Sequence, residues 1–296
     1  MQVTALAPHE FEPFRNLTFP VMRRLLDPAE GGRIVCVGAW SDGQPAGLAL
    51  GVMADDQLCE LASFHVLPFF MTDSLTATLL DRWETEAAAR GARHAIHFFT
   101  AKPGDDPTAR FFLSRGWAKP TVRTMVCRAT IEVAFATNWF VRARMPAGCH
   151  AVPWVGLTDE QRATLVPAGT TPWYPPALDP FHHERGCDAA TSVGLLETHD
   201  GRERLVGWVI THKLDEVALR WTSSFVRQDL QRTGHVVPLW LEVAKRQRDA
   251  TTLTDFIFTV PVEQPRMMRF TARRMGRDLS ECSFGCFTTK KLEPSG

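Results

Sequence analysis

A chain of 296 residues, 45% of them hydrophobic, can bury two cores of ordinary domain size, so its length favours two domains. Its 33 basic and 33 acidic residues cancel, which argues against nucleic acid or an anionic membrane surface as a partner. The sequence has neither an apolar run of membrane-spanning length nor a basic-then-apolar N-terminal segment, so we expect a cytoplasmic protein.

The seven cysteines are odd in number and scattered, which is typical of reduced thiols packed as small apolar groups. Cys282 and Cys286 have a loose metal-like spacing, and His182, His183 and Cys187 form a second thin cluster. Both clusters lack the paired motifs that structural zinc usually needs. The sequence therefore predicts no metal site.

The N-terminal part of the chain, up to Thr130, predicts a hairpin, a third strand and a helix, followed by a shorter segment that ends in Gly-Trp. The turn of the hairpin is Asp42-Gly43, a dipeptide that favours tight turns with positive φ angles. In chain order the predicted elements are strands at 38–40, 46–52 and 58–67, a helix at 75–90 and the segment 109–117.

The region 130–190 is the least regular part of the chain. Seven prolines interrupt it: Pro146, Pro153, Pro167, Pro172, Pro175, Pro176 and Pro180. Within it, 151–155 reads as a strand and 158–166 as a helix that Thr158 caps. Residues 167–190 combine prolines with aromatic, acidic and histidine side chains, and we call this segment the strap.

The last part of the chain repeats the order hairpin, strand, helix. Its strands are predicted at 192–197, 205–212 and 217–226, with Asp200-Gly201 as the turn. A helix at 235–248, a strand at 256–260 and a helix at 265–275 that closes at Gly276 complete the series.

The loop 226–236 joins an apolar strand to an amphipathic helix. The first amides of a helix have no partners inside it, and the helix dipole adds partial positive charge there. A pyrophosphate fits such a junction. An ordinary strand-loop-helix with a chance glycine is the alternative interpretation of this stretch alone.

This loop resembles the acyl-CoA loop of the GNAT superfamily of N-acetyltransferases. The family pattern is Gln or Arg, two residues, Gly, one residue, then Gly or Ala, often with a Val five positions before the Gln. Gln231, Gly234 and Val226 match the pattern, and Val236 departs from it. The order hairpin, strand, loop, helix, strand, helix is also that of the family.

Four landmarks recur at one constant spacing, which indicates an internal repeat. The pairs are Gly47 and Gly207, Val66 and Val226, Ser74 and Gly234, and Gly116 and Gly276. The resemblance therefore implies an α/β (α+β) chain of two tandem GNAT-like domains, 1–130 and 131–296. Each is expected to hold a mixed, mostly antiparallel central sheet flanked by helices.

The two copies differ at the loop. Residues 71–76 replace the family pattern in the first copy, and Asp73 would bring negative charge toward a pyrophosphate. We expect this copy to be degenerate and structural. In the second copy the resemblance implies acetyl-CoA or another acyl-CoA as donor, bound by Ser224, Phe225, Val226, Gln231, Arg232, Thr233, Gly234, His235, Val236 and Thr259.

The resemblance also implies transfer of the acyl group to an amine. We expect a small-molecule acceptor between the domains, lined by the strap residues Trp173, Tyr174, Asp179, His183 and Glu184. The alternative is a strap whose aromatic residues simply pack. Many family members use a tyrosine of the last helix as the acid, and this chain has Phe270 and Thr271 there. The candidate catalytic residues are therefore Tyr174, Ser224 and His182.

Two other functions remain open at this stage. The missing tyrosine is compatible with a non-catalytic sensor or scaffold that binds acyl-CoA. Val236 at the phosphate seat is compatible with an acyltransferase whose donor is the phosphopantetheine thioester of a carrier protein. The sequence fixes neither the acceptor, nor the acyl length, nor the oligomeric state.

Overall fold

The computed structural model describes residues 1–27, 32–166, 170–231 and 236–293. Its strands are β1 (Gln2–Ala5), β2 (Ile34–Ser41), β3 (Gln44–Met53), β4 (Leu58–Val66), β5 (His94–Ala101), β6 (Thr121–Thr130), β7 (Cys149–Pro153), β8 (Val193–His199), β9 (Arg202–Lys213), β10 (Ala218–Val226), β11 (Asp255–Pro261) and β12 (Glu281–Lys291). Its helices are α1 (Asp73–Ala89), α2 (Pro107–Ser114), α3 (Ile131–Ala136), α4 (Asn138–Val141), α5 (Asp159–Ala163), α6 (Pro180–His183), α7 (Gln228–Gln231), α8 (Val236–Ala250) and α9 (Pro265–Phe270), which continues as a π-helical turn, Thr271–Met275.

The chain divides into two compact units. The first is Met1–Arg123 together with Phe284–Gly296, and the second is Thr124–Ser283. The predicted division into 1–130 and 131–296 differs from these units, because β12 pairs with β5 of the first unit along residues 284–291. The sixth strand, β6, pairs instead with β11 of the second unit.

Each unit has a mixed, mostly antiparallel sheet flanked by helices, as expected. In the first unit the strands follow the order β1, β2, β3, β4, β5, β12, and in the second β6, β11, β10, β9, β8, β7. Among the pairs described within each unit, only β4 with β5 and β10 with β11 are parallel.

The first unit buries both faces of its sheet. Helix α1 lays Leu79 and Trp83 on one face, where they join a cluster that includes Val35 and Val37. On the other face of the sheet lies Phe14, from the 3₁₀ segment Glu12–Leu17. It packs in a cluster with strand residues whose side chains point away from α1. This arrangement follows from the period of two residues in a strand.

The second unit has the same two-sided construction. Helix α8 contributes Leu239 and Val243 to a core that includes Trp221. On the opposite face Trp208 packs with Trp154 and Tyr174, so the strap covers the side that α8 leaves free. The two faces of β9 and β10 therefore meet different layers.

The structure shows the repeat as matching strand registers. Gly47 lies opposite Val66 in the first unit, and Gly207 lies opposite Val226 in the second. The parallel pairing covers Leu58–Leu61 of β4 and Ala218–Trp221 of β10, again at the spacing of the repeat. Among the predicted glycine landmarks, Gly116 and Gly276 differ, because Gly116 has φ +79° after α2 whereas Gly276 has φ −54°.

Gly207 allows this close pairing, and we predict that Gly207→Ala destabilises the second unit by about 1–3 kcal/mol. A Cβ at this position would lie 2.7 Å from Val226 Cγ1 and 2.9 Å from the carbonyl oxygen of Phe225. At Gly156 the nearest atom would be 3.9 Å away, which is ordinary contact. Urea unfolding should therefore show a lower midpoint for Gly207→Ala than for Gly156→Ala, and equal midpoints would contradict the prediction.

Candidate functional site

Strands β10 and β11 stop pairing with each other in the middle of the second unit. Their parallel pairing runs from Ala218 and Asp255 to Trp221 and Phe258 and ends there. Beyond this point β10 stays with β9 as far as Val226, and β11 stays with β6 as far as Pro261. The stretch from Trp221 to Val226 spans about 17 Å at about 3.3 Å per residue. A wedge with main-chain groups on both sides therefore opens toward the loop that follows Val226.

A bulge in β10 lies at the narrow end of this wedge. The register with β9 shifts between Trp221 and Ser223, so Thr222 is the extra residue. Ser223 donates its hydroxyl proton to the carbonyl of Leu178 in the strap. The next hydroxyl, of Ser224, accepts a hydrogen bond of 2.5 Å from Trp240 Nε1 of α8. Successive serines thus reach opposite layers.

The described part of the strap, residues 170–190, follows β10 in the reverse direction. Its Trp173 stacks on Phe225 near the end of β10, and the carbonyl of Leu178 accepts a hydrogen bond from Ser223, two residues earlier on β10. At the other end, the carbonyl of Arg185 accepts a 3.3 Å hydrogen bond from His212 Nε2. The strap therefore crosses the sheet face from the loop end of the wedge to its narrow end.

The aromatic residues of the strap are packed side chains. Tyr174 is 5% exposed and meets Trp208 edge-on at 5.0 Å between ring centroids. Burial raises the pKa of the Tyr174 phenol, and the nearby charge of Asp179 raises it further. Trp173 donates its indole proton to the carbonyl of Leu165. The geometry agrees with the packing alternative for these two residues.

The polar strap residues have local partners as well. Asp179 caps α6 by accepting from the amide of Phe181, and His183 Nε2 lies 3.0 Å from the carbonyl of Ala177. Glu184 accepts from Trp154 Nε1 and forms a 2.7 Å ion pair with Arg162. Of the strap residues predicted to act in binding or catalysis, His182 has the most exposed side chain, 74%, and its ring lies 3.9 Å from Asp179.

The predicted acyl-CoA loop is described in part. Gln231 donates its side-chain amide to the carbonyl of Val226 at 2.7 Å and so spans the start of the loop. The amide donor thereby fixes the turn from β10 into α7. Arg232, Thr233, Gly234 and His235 lie outside the described residues, and Val236 is the first residue of α8.

Two further groups flank the wedge, Arg227 at its loop end and Thr259 near its narrow end. Arg227 forms ion pairs with Asp229 and Glu197, and its hydrogen bonds to these carboxylates raise the pKa of its guanidinium. Thr259, predicted to face the donor, lies on β11 one residue beyond the last pair with β10. It pairs with Val126 of β6 on its other side.

The first unit has a different junction at the equivalent place. The hydroxyl of Thr72 accepts a hydrogen bond from the backbone amide of Leu75 and so caps α1, and Asp73 lies in the first turn of this helix. Phe69 and Met71, which stand where the second unit has Asp229 and Gln231, are 91% and 60% exposed. A capped helix terminus, an added carboxylate and an apolar loop all disfavour phosphate binding.

An open cleft of about 310 Å³ lies at the narrow end of the wedge, on the strap side. Thr222 and Leu214 line it together with six basic or histidine residues, which are His182, His183, Arg185, His212, Lys213 and Arg220. The polar residues of β10 that sequence reasoning missed, Arg220 and Thr222, flank Trp221 in an alternating pattern. That alternation is a signal for a polar strand face.

The described residues contain no group of three or more His, Cys, Asp or Glu side chains placed to hold a metal ion. All seven cysteines are free thiols. Burial is the main reason that the pKa of Cys127 is raised to about 12, which keeps this thiol protonated. None of the described helices combines the length and the apolar character that a membrane crossing requires.

Comparison with solved structures identifies the architecture. A tandem GNAT protein from the clavulanic acid biosynthesis pathway, determined without AcCoA, matches with a TM-score of 0.66 at 13% identity, over 100% of this chain and 99% of that chain. A GCN5-related N-acetyltransferase from Sphaerobacter thermophilus matches with a TM-score of 0.59 at 18% identity, over 100% of this chain and 96% of that chain. No protein-family model and no curated protein sequence matches the chain. At these identities the two structures show a shared fold, which is a tandem GNAT-like fold, as the resemblance predicted.

Proposed function

We propose that this chain, with its tandem GNAT-like fold, binds an acyl-CoA in its second unit and transfers the acetyl or other short acyl group to the amine of a small molecule. The main observation in support of this proposal is that the pairing between β10 and β11 ends partway along the two strands. Beyond Trp221 and Phe258 the two strands no longer pair with each other, so an extended chain that offers amides, such as a pantetheine arm, can bind their main-chain groups.

The proposed donor site follows the wedge from its narrow end to the loop. Ser224, Phe225 and Val226 would lie along one side and Thr259 along the other. The pyrophosphate would bind at Gln231, Arg232, Thr233, Gly234, His235 and Val236 by the sequence pattern. The stretch from Trp221 to Val226, with its length of about 17 Å, is comparable to an extended pantetheine arm.

The reaction forms a bond between the amine nitrogen and the acyl carbon and breaks the carbon–sulfur bond. The nitrogen loses a proton, and the leaving thiolate gains one. Of the three predicted catalytic residues, His182 has the best position to accept the proton, because it lines the cleft at the narrow end and lies near Asp179. Tyr174 is buried among aromatic rings, and the hydroxyl of Ser224 is already bonded to Trp240.

Calorimetric titration of the full chain with acetyl-CoA and with CoA tests the proposal. We expect one site per chain, because the sequence pattern for pyrophosphate binding falls in the second copy and the capped start of α1 in the first unit disfavours phosphate. Acyl transfer to a panel of amines should then release free thiol. Binding without turnover would favour the sensor alternative, and turnover with carrier-bound thioester but no binding of free CoA would favour the carrier-protein alternative. Cytoplasmic localisation stays a prediction.

A further inference from the structure

The cleft at the narrow end of the wedge is strongly biased toward positive charge. Its lining combines Arg185, Lys213 and Arg220 with three histidines and includes no carboxylate. The whole chain has equal numbers of acidic and basic residues, so this bias is local. Such a surface attracts anions and repels cations.

The positive charges of the cleft are largely uncompensated. Within the described residues, Arg185 and Arg220 have no ion pair with a carboxylate. Lys213 pairs with Glu216 at 3.0 Å, but the two side chains are 51% and 91% exposed, and such exposed pairs contribute little. The acids of the strap have partners of their own, because Asp179 caps α6, Glu184 pairs with Arg162, and Asp188 accepts hydrogen bonds from Thr191. Two guanidinium groups are therefore available to a ligand.

Hydrogen bonds fix the floor of the cleft. His212 lies opposite Arg220 in the β9–β10 ladder. Its Nε2 donates to the carbonyl of Arg185, and its Nδ1 lies 2.8 Å from the hydroxyl of Thr222. This ring thus ties the strap to both strands. The main chain of Arg185 and the ring of His212 are therefore fixed at the floor of the cleft, which lowers the entropic cost of ordering the site on binding.

The position of the cleft connects it to the proposed reaction. Arg220 and Thr222 stand on either side of Trp221, the last residue of β10 that pairs with β11. If the donor lies in the wedge with its phosphates at the loop, its acyl group reaches the narrow end beside this cleft. A molecule bound in the cleft would then present its amine within a few ångströms of the acyl carbon.

We propose that the acceptor is an amine that also carries a carboxylate or a phosphate, and that Arg185 and Arg220 bind this anionic group. This inference rests on the proposed function and deepens it. Guanidinium groups bind both anions through paired N–H donors, so the shared chemistry is a planar or tetrahedral oxyanion. A polycationic acceptor would be repelled.

A binding test uses the full chain saturated with CoA, so that added phosphate cannot occupy the donor loop. Ring resonances of labelled histidines are followed while inorganic phosphate, phosphoethanolamine or β-alanine is added at constant pH. We expect saturable shifts for His182, His183 and His212, with no change for His9 and His94 of the first unit. The phosphate and carboxylate probes distinguish the two sources of the oxyanion.

Matched acceptors then test selectivity in acetyl transfer. Phosphoethanolamine is compared with ethanolamine, and β-alanine with β-alaninamide. The anionic member of at least one pair should have a KM about tenfold lower or better, and Arg185→Gln or Arg220→Gln should raise that KM about tenfold, as expected for a charged hydrogen bond. Arg202→Gln, an exposed arginine at the start of β9, is the control and should leave it unchanged.

The outcomes separate this inference from the proposed function. Acetyl-CoA binding with no histidine shifts for any anion, or with equal use of neutral and anionic acceptors, would overturn the inference and leave acyl transfer standing. Anion-dependent shifts that Arg220→Gln abolishes would support the oxyanion site even if CoA failed to bind. Circular dichroism of each variant shows that it is folded.

Discussion

Gly234→Glu should weaken acetyl-CoA binding at least 100-fold, or about 2.7 kcal/mol. In the proposed site the pyrophosphate binds main-chain amides of residues 231–236, as the sequence pattern predicts. A glutamate there adds both bulk and a negative charge next to the phosphates, where little water would screen the repulsion. Calorimetric titration measures the loss directly, and thermal unfolding of the unliganded variant shows whether the fold has been retained.

The repeat supplies a matched control for this variant. Ser74 is the counterpart of Gly234 in the first copy and lies in the exposed first turn of α1. A glutamate is favourable at a helix N-terminus, and this junction has no proposed ligand, so Ser74→Glu should bind acetyl-CoA like the parent chain. If Ser74→Glu lost binding while Gly234→Glu retained it, the assignment of the two copies would have to be reversed.

Removal of β12 should unfold the first unit although it deletes none of residues 1–123. In a chain that stops at residue 280, β5 loses the partner strand it has along residues 284–291. The buried Leu292 is lost, and so is the ion pair between Lys290 and Glu84. These losses together rival the stability of a typical domain, which is about 5–15 kcal/mol. Hydrogen exchange should show amides of β4 and β5 unprotected, while those of β9 and β10 stay protected.

The complementary experiment restores β12 to the first unit by attaching it directly after residue 120. Residues 1–120 joined to 281–293 by a flexible Gly/Ser linker of about ten residues should fold, because such a linker spans roughly 17 Å. Residues 1–130, the first domain as predicted from the sequence, should not form a stable unit. A cooperative unfolding transition for 1–130 alone would contradict this account of the first unit.

The sequence predicted the elements whose partners are near in the chain. The turns at Asp42-Gly43 and Asp200-Gly201 have the positive φ angles that their dipeptides favour, and the hairpins around them form as expected. The strands missed were β1, β5, β6 and β12. The ladders of β6 and β12 join positions that are far apart in the chain, as for Arg128 and Ile257 or Phe99 and Cys286, and no local pattern encodes such pairing.

For the candidate site, too, the sequence predicted some parts and missed others. The loop and the strap were visible because spacing and proline content mark them. The cleft was not, because it depends on a register shift in β10 that places Thr222 next to His212. A one-residue change of register alters which side chains share a face, and sequence alone does not specify where a bulge falls.

The pairing of β12 with β5 of the first unit affects the order in which the chain can fold. During synthesis from the N-terminus, residues 1–123 emerge first, yet their sheet stays incomplete until residues 284–291 have been made. The unit that is synthesised first is therefore the last whose sheet is completed. One edge of β5 stays unpaired while more than half of the chain is translated. Such an edge is open to wrong pairing, so we expect this protein to need a chaperone more than a chain whose domains close one after the other.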